Sequence, residues 1–348
     1  MTDHSPDPEG RAAIQPRLAD VARLARVSTA TVSRVLNHPS TVTARLRGRV
    51  HAAVESLGYV PHGHARALAS RRSNTIGAVV PTIDNAIFAR NIQSLQARLF
   101  ESGRTLLLAS SDYDYGRERD QVQSLVERGI DGLFLVGETR EPSIYRLVEK
   151  TRIPYVTTWI YREDSSHPCV GFNNLQAAYQ LCSYLLDIGH RHIAMVAGVM
   201  HCNDRAAERV QGVTAAMAER RLHFAPGHFA EHEYEIAEGR RAASRILASP
   251  NRPTAIVCGN DVLAFGVLFE CLARGVNVPK DMSITGFDDL DLAANIDPPL
   301  TTIRVPAAEM GRRAAEYLLA KLEKTPIPER TELQAVLVVR ETTAPPSR

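Results

Sequence analysis

The chain has 348 residues, 44% hydrophobic and 23% charged, with a formal net charge of +2, the profile of a soluble globular protein of two or three domains. No apolar run approaches the roughly 18 residues of a membrane-spanning helix, and the polar start lacks the apolar stretch of an export signal. Cys169, Cys182, Cys202, Cys258 and Cys271 include no C-x-x-C pair, which argues against a disulfide framework or structural zinc and fits a reducing cytosol.

Residues 1–16, with Pro6, Pro8 and Pro16, read as a disordered arm. The segment 17–73 then carries ten arginines against Asp20 and Glu55, while the rest of the chain is slightly acidic. Such a local positive field suits a nucleic-acid-binding module, and a solvated basic face is the alternative. Within it, Leu18–Ala25 has helical apolar spacing, Arg26-Val27-Ser28 breaks it, and Ser28 suits the N-cap of a second helix over Thr29–Leu36. Val32 and Val35 pack inward there, leaving Thr29, Ala30, Ser33 and Arg34 on the other side. A third helix, Thr43–Leu57, carries Leu46, Val50, Ala53, Val54 and Leu57 on one stripe and stops at Gly58. Two short helices with a tight turn and a supporting third form a helix-turn-helix, with a generic three-helix bundle as the alternative. In the former, Thr29 and Ala30 can meet thymine methyls and Arg34 can pair with guanine. Ser28, Asn37, Thr43, Arg45 and the other arginines of the third helix are candidate phosphate contacts.

Tyr59-Val60-Pro61 ends this headpiece, because a residue before proline resists helix. The Ala-rich His62–Ser70 could make two turns of a helix that is marginal by itself, and Gly63 weakens it by ~1 kcal/mol relative to alanine. From Asn74 onward strands and helices alternate. Ile76–Val80, Thr105–Ala109, Gly132–Val136, Tyr155–Thr158, Ile193–Ala197, Ala255–Cys258 and Ser283–Gly286 read as buried parallel strands. Phe88–Ser102, Leu175–Ile188, Arg205–Arg220, Ile236–Ala248 and Val262–Arg274 are among the amphipathic helices between them. This is an α/β pattern of doubly wound sheets, long enough for two subdomains.

The run from Leu18 to Asn37, LADVARLARVSTATVSRVLN, resembles the DNA-binding signature of the lactose-repressor (LacI/GalR) family. Leu57-Gly-Tyr-Val-Pro61 and Ala65-Arg-Ala-Leu-Ala69 match it further, and the resemblance runs through essentially the whole chain after Pro16. It implies a headpiece at 17–60, a hinge at 61–73 and an effector-binding core at 74–348 with a periplasmic-binding-protein-like fold. The core would form an N-lobe at about 74–174 and 305–334 and a C-lobe at about 175–304 and 335–343. In the hinge, the resemblance implies that Ala65 and Leu68 meet the minor groove, with Leu68 wedged between base pairs. Residues matching the family's effector pocket are Ile87, Phe88, Asn203, Arg205, Arg209, Asn260 and Asp288, with Trp159 and Tyr234 as aromatic walls. Where many relatives carry an aspartate, this chain has Asn173, which puts one sugar contact in doubt.

His228-x-x-x-His232 and His190-x-His192 have metal-like spacing but no third ligand in evidence, and no dinucleotide, P-loop or nucleophile-elbow motif is present. No metal, cofactor or enzymatic activity is therefore expected. The reading is a cytoplasmic transcriptional repressor, acting as a homodimer on a near-palindromic operator under the control of a sugar, sugar acid or related metabolite. A solute-binding protein of the same core fold, or a metabolite-processing enzyme with an appended DNA domain, are the alternatives. The former has no use for a basic headpiece, and the latter needs a catalytic constellation that the sequence does not offer.

Overall fold

A computed structural model describes residues 16–37, 39–60, 73–84 and 86–347. The chain divides into two compact units, Met1–Ser73 and Asn74–Arg348.

In the first unit, α1 (Leu18–Leu24), α2 (Thr29–Asn37) and α3 (Ala44–Leu57) surround a core of Val21, Ala22, Ala25, Val32, Val35, Val50, Ala53 and Tyr59. The turn after α1 is a Schellman motif: Arg26 takes φ +49°, the Arg26 N–H reaches the Arg23 carbonyl, and the Val27 N–H reaches that of Ala22. Gly58, at φ +60°, ends α3 the same way and turns Tyr59 back into the core. Ser28 caps α2 as its sequence position suggested, its Oγ accepting from the Thr31 N–H at 3.1 Å. The second helix runs one residue further than expected, to Asn37, and the third begins at Ala44 with Thr43 as its N-cap.

The second unit contains two parallel sheets. In the N-lobe sheet the order is β11 (Arg330–Glu332), β5 (Cys169–Gly171), β4 (Tyr155–Thr158), β3 (Gly132–Val136), β1 (Thr75–Val80) and β2 (Thr105–Ser110). The C-lobe sheet runs β7 (Phe229–His232), β6 (Ile193–Gly198), β8 (Ala255–Cys258) and β9 (Ser283–Thr285). A short antiparallel pair, β10 (Thr302–Arg304) and β12 (Val336–Val338), lies where the chain passes between lobes. Helices cover the sheets: α4 (Ala89–Glu101), α5 (Tyr115–Glu127), α6 (Pro142–Thr151) and α12 (Ala307–Glu323) follow N-lobe strands or the return crossing. The C-lobe carries α7 (Asn174–Asp187), α8 (Asp204–Glu219), α9 (Ile236–Leu247), α10 (Asp261–Ala273) and the short α11 (Asp291–Asn295).

One expectation is corrected. Thr105–Ala109 read as a buried strand, but β2 is the edge of its sheet, paired only with β1, and its side chains are exposed or half-buried. Its apolar run Leu106-Leu107-Leu108 cannot be told by periodicity from a buried strand. The polar segment holding His228 and His232 contains the edge strand β7. Strands β5, β10, β11 and β12 have three residues each, too few to show a period.

Topology places the site. Each sheet reverses its winding between adjacent strands, β1 and β3 in one lobe and β6 and β8 in the other, and the crevice beyond their C-terminal ends is where ligands bind in open α/β sheets. The α9–α10 pair is drawn tight: a Cβ on Gly266 would lie 2.2 Å from the Ile236 carbonyl oxygen, and one on Gly239 2.3 Å from that of Leu263. This close packing fixes the start of α10, where Asn260 sits.

Candidate functional site

Two surfaces carry the residues singled out from sequence. On the headpiece, Thr29, Ala30 and Arg34 are exposed along one side of α2, with Ser33 half-buried beside them, and Val32 and Val35 fill the core behind. Thr43 and Arg45 are exposed at the start of α3. Ser28 is exposed too, although its hydroxyl already caps α2 and meets the Thr31 hydroxyl at 2.9 Å. The other arginines of α3 are engaged in the fold: Arg47 donates to the Pro39 carbonyl at 2.8 Å, and Arg49 donates to the Ala25 carbonyl at 2.6 Å and to that of Arg26 at 3.1 Å. They tie off carbonyls left open at turns, which gives both arginines a structural role in the headpiece. Ala65, Leu68 and the side chain of Asn37 lie outside the described residues.

In the core, Ile87, Phe88, Trp159, Asn203, Arg205, Arg209, Tyr234, Asn260 and Asp288 line a single narrow cavity between the lobes, of about 10 Å³ in this arrangement, and Tyr113 completes its wall. The rings of Phe88 and Trp159 meet edge-to-face at 5.0 Å. Arg209 is buried and clamped: Nε donates to Asn174 Oδ1 at 3.0 Å, Nη1 to the Gly259 carbonyl at 2.8 Å, and Nη2 reaches Asp288 Oδ1 at 3.5 Å. The guanidinium also lies 3.7 Å from the ring centroid of Phe287. Asn203 caps α8 and donates Nδ2 to the Tyr234 hydroxyl at 3.1 Å. Among these buried groups, Asp288 Oδ2, Asn260 Nδ2 and Trp159 Nε1 have no hydrogen-bond partner. An unmade hydrogen bond at a buried polar atom costs about 1–3 kcal/mol, so three on one cavity wall need an explanation. Trp159 and Asp288 also take left-handed backbone, φ +67° and +114°, a strain that clusters at ligand sites.

Residues 17–62 match the family model for bacterial regulatory proteins of the LacI family, and residues 182–343 match that for a periplasmic-binding-protein-like domain. The chain is 33% identical over 328 residues to the HTH-type transcriptional repressor PurR of Vibrio parahaemolyticus, covering 93% of this chain and 98% of that one. The chain belongs to the LacI family. It is likewise 31% identical over 325 residues to the ribose operon repressor of Escherichia coli K12, at 93% and 98% coverage. A LacI-family transcriptional regulator from Silicibacter pomeroyi has a crystal structure that superposes with a TM-score of 0.87 at 25% identity, covering 94% of this chain and 99% of that one. This LacI-family chain is a DNA-binding transcriptional repressor and not an enzyme. None of its described helices is long and apolar enough to cross a membrane, and no three His, Cys, Asp or Glu side chains gather as metal ligands among the described residues.

In this LacI-family core the lobes are tied across the cleft. Asp204, at the start of α8, accepts from the N–H groups of Glu138 at 2.7 Å and Thr139 at 2.8 Å beyond β3. Arg162 donates to Glu208 at 2.7 Å. Burial pushes the Asp204 carboxyl up, but Arg205 and the two backbone donors outweigh it and hold the group below the ordinary carboxylate range. At Asp288 the balance differs: burial dominates over Arg209 and raises the pKa to about 6. Asp261 receives the Thr302 hydroxyl at 2.6 Å and the Leu290 N–H at 2.7 Å, holding the loop that presents Asp288.

Sequence reasoning missed Tyr113, Phe287 beneath Arg209, and Asn174, which orients it. Tyr113 follows a strand C-terminus at the cleft, so the rule for ligand position in open sheets could have found it. Asn173 is exposed and caps α7, so it contributes nothing to the cavity.

Proposed function

We propose that the core binds a small, uncharged polyhydroxylated ligand, a single sugar ring, and that this binding sets the operator affinity of a homodimer. The observation that carries the reading is the set of three partnerless polar atoms, Asp288 Oδ2, Asn260 Nδ2 and Trp159 Nε1, on one cavity wall. One acceptor and two donors beside aromatic rings match hydroxyls, which both give and take hydrogen bonds, on a ring with an apolar face. The cations of the cavity are balanced, Arg209 by Asp288 and Arg205 by Asp204 at 2.7 Å, which favours a neutral sugar over a sugar acid. That a relative is the ribose operon repressor makes pentoses a natural starting panel.

In this reading residues 17–60 form the headpiece, 61–73 the hinge and 74–348 the core. Thr29, Ala30 and Arg34 read bases, Ser28, Asn37, Thr43 and Arg45 meet phosphates, and Ala65 and Leu68 meet the minor groove at the operator centre. The dimer places two headpieces on half-sites of a near-palindrome in the cytosol. Phe100 on α4 and Leu272 on α10, 80% and 76% exposed, are large apolar side chains that a second copy would cover. Binding couples to DNA through whichever lobe arrangement the ligand prefers.

Calorimetric titration with ribose, xylose, arabinose, glucose and galactose, alongside their aldonic acids, tests the ligand class. A neutral sugar that binds the protein and loses affinity in Asp288→Asn supports it. An acid binding more tightly than its parent sugar contradicts it.

A further inference from the structure

We propose that the ligand enters through a second chamber, beside the segments that cross between the lobes, and that the Arg90–Asp291 ion pair is the latch over it. This rests on the ligand reading above. The effector cavity, at about 10 Å³, has room for about one water molecule, so the lobes must part to admit a sugar ring. Adjoining it is a chamber of about 330 Å³, the size of a small-ligand pocket. Ile87, Trp159 and Asp288 line both spaces and form the buried wall between them. The chamber's rim is exposed, at Arg90, Ala308 and Glu309 on N-lobe helices and at Arg304, Gln334 and Val336 on the crossing segments. It thus leads from solvent to Trp159 and Asp288, whose Nε1 and Oδ2 atoms have no partner.

Where the lobes part depends on which tie between them is weakest. The side of the effector cavity lined by Tyr113 and Arg205 shares neither residue with the chamber. There the Tyr113 and Tyr234 rings meet with centroids 5.8 Å apart, buried Asp204 accepts from two N–H groups of the opposite lobe, and buried Glu208 receives Arg162 at 2.7 Å. The low local dielectric strengthens the two carboxylate contacts. On the chamber side Arg90, near the start of α4, meets Asp291, the first residue of α11 in the other lobe. Their side chains are 57% and 84% exposed, so water and salt screen the pair and it opens readily. The base under Asp291 is fixed: the Asp289 carboxylate receives Arg304 and Arg340 at 2.6 Å each, and Asp261 holds the Leu290 N–H at 2.7 Å. Breaking the latch therefore frees the rim without moving the loop that presents Asp288.

Trp159 is the chain's one tryptophan and stands on the wall between chamber and cavity, so its fluorescence reports on the path. In the full-length protein, acrylamide quenching of Trp159 measures access, and stopped-flow mixing with ribose, xylose, arabinose, glucose or galactose measures the association rate. Arg90→Ala and Asp291→Ala are each expected to raise the quenching constant and the association rate by about two- to fivefold, the scale of an exposed ion pair. Arg90→Asp combined with Asp291→Arg restores both to the wild-type values. Ala308→Phe, which sets a ring on the exposed chamber wall, lowers both. Quenching or association left unchanged by the latch variants or by Ala308→Phe overturns the route and leaves the ligand reading in place. If none of these sugars binds any of the proteins, the ligand reading falls and the quenching arm alone decides the latch.

Discussion

Arg209 and Asp288 meet at 3.5 Å inside the cavity wall, yet the contact engages only Oδ1 and leaves Oδ2 without a partner. A pair formed for stability alone would satisfy both oxygens. Replacing Asp288 by asparagine keeps its shape and removes the charge, so sugar affinity should fall by about 10- to 100-fold, the ~1.5–3 kcal/mol of a hydrogen bond to a charged group, and the melting temperature should fall too, because Arg209 is left buried without its counter-charge. Arg209→Ala should also break the pair but leave no ligand-affinity effect separable from the fold, destabilising it by roughly 3–5 kcal/mol, because it removes the donors to Asn174 and the Gly259 carbonyl as well. Calorimetry and thermal denaturation of the two variants separate these outcomes.

Affinity should depend on pH through Asp288. Ligand hydroxyls donate to its ionised form, and burial has raised its pKa to about 6. Binding is therefore full above that pH and falls as pH drops through it, approaching about tenfold per unit below. Titrations between pH 5 and 8 on the wild type should show this slope, and Asp288→Asn should abolish it.

On the headpiece, Arg34 and Arg49 should behave oppositely. Arg34→Ala should cost about 1–3 kcal/mol of specific operator binding and leave the melting of the protein unchanged. Arg49→Ala removes the donor to the carbonyls at the end of α1 and should lower headpiece stability by about 1 kcal/mol. Electrophoretic mobility shifts and circular-dichroism melts report the two effects.

Lobe closure should depend on Asp204, whose carboxylate receives two N–H groups from the opposite lobe. Asp204→Ala should loosen the cleft, seen as a larger radius of gyration in small-angle scattering and weaker sugar binding, although Asp204 makes no contact with the ligand in this account. An unchanged scattering curve would remove it as a closure residue.

Much of this arrangement was written in local patterns. Val32 and Val35 on one side of α2 and Thr29, Ala30 and Arg34 on the other follow from helical periodicity, and Ser28 and Gly58 mark helix boundaries by their chemistry. The nine core residues that meet at the cavity, from Ile87 to Asp288, were legible only through the family resemblance, because they come from loops and helix starts far apart in sequence that the two sheets bring together. Edge position was not legible: Leu106-Leu107-Leu108 reads the same in a buried strand as in β2. Neither was the engagement of Arg47 and Arg49 with backbone carbonyls, since an arginine on a helix has the same sequence appearance whether it faces phosphate or a turn. Tyr113 was hidden for another reason: its place depends on two successive left-handed residues, and although Asp112 tolerates that conformation, a tyrosine in it is rare and no local pattern marks it.

The central claim, that a sugar in the cavity controls the hold on DNA, is tested most directly by footprinting the DNA upstream of the protein's own and neighbouring genes with and without the sugar panel. The account predicts a protected near-palindrome whose occupancy changes with one neutral sugar in the wild type and not in Asp288→Asn. Protection that responds to none of these sugars, or responds equally in Asp288→Asn, would contradict it.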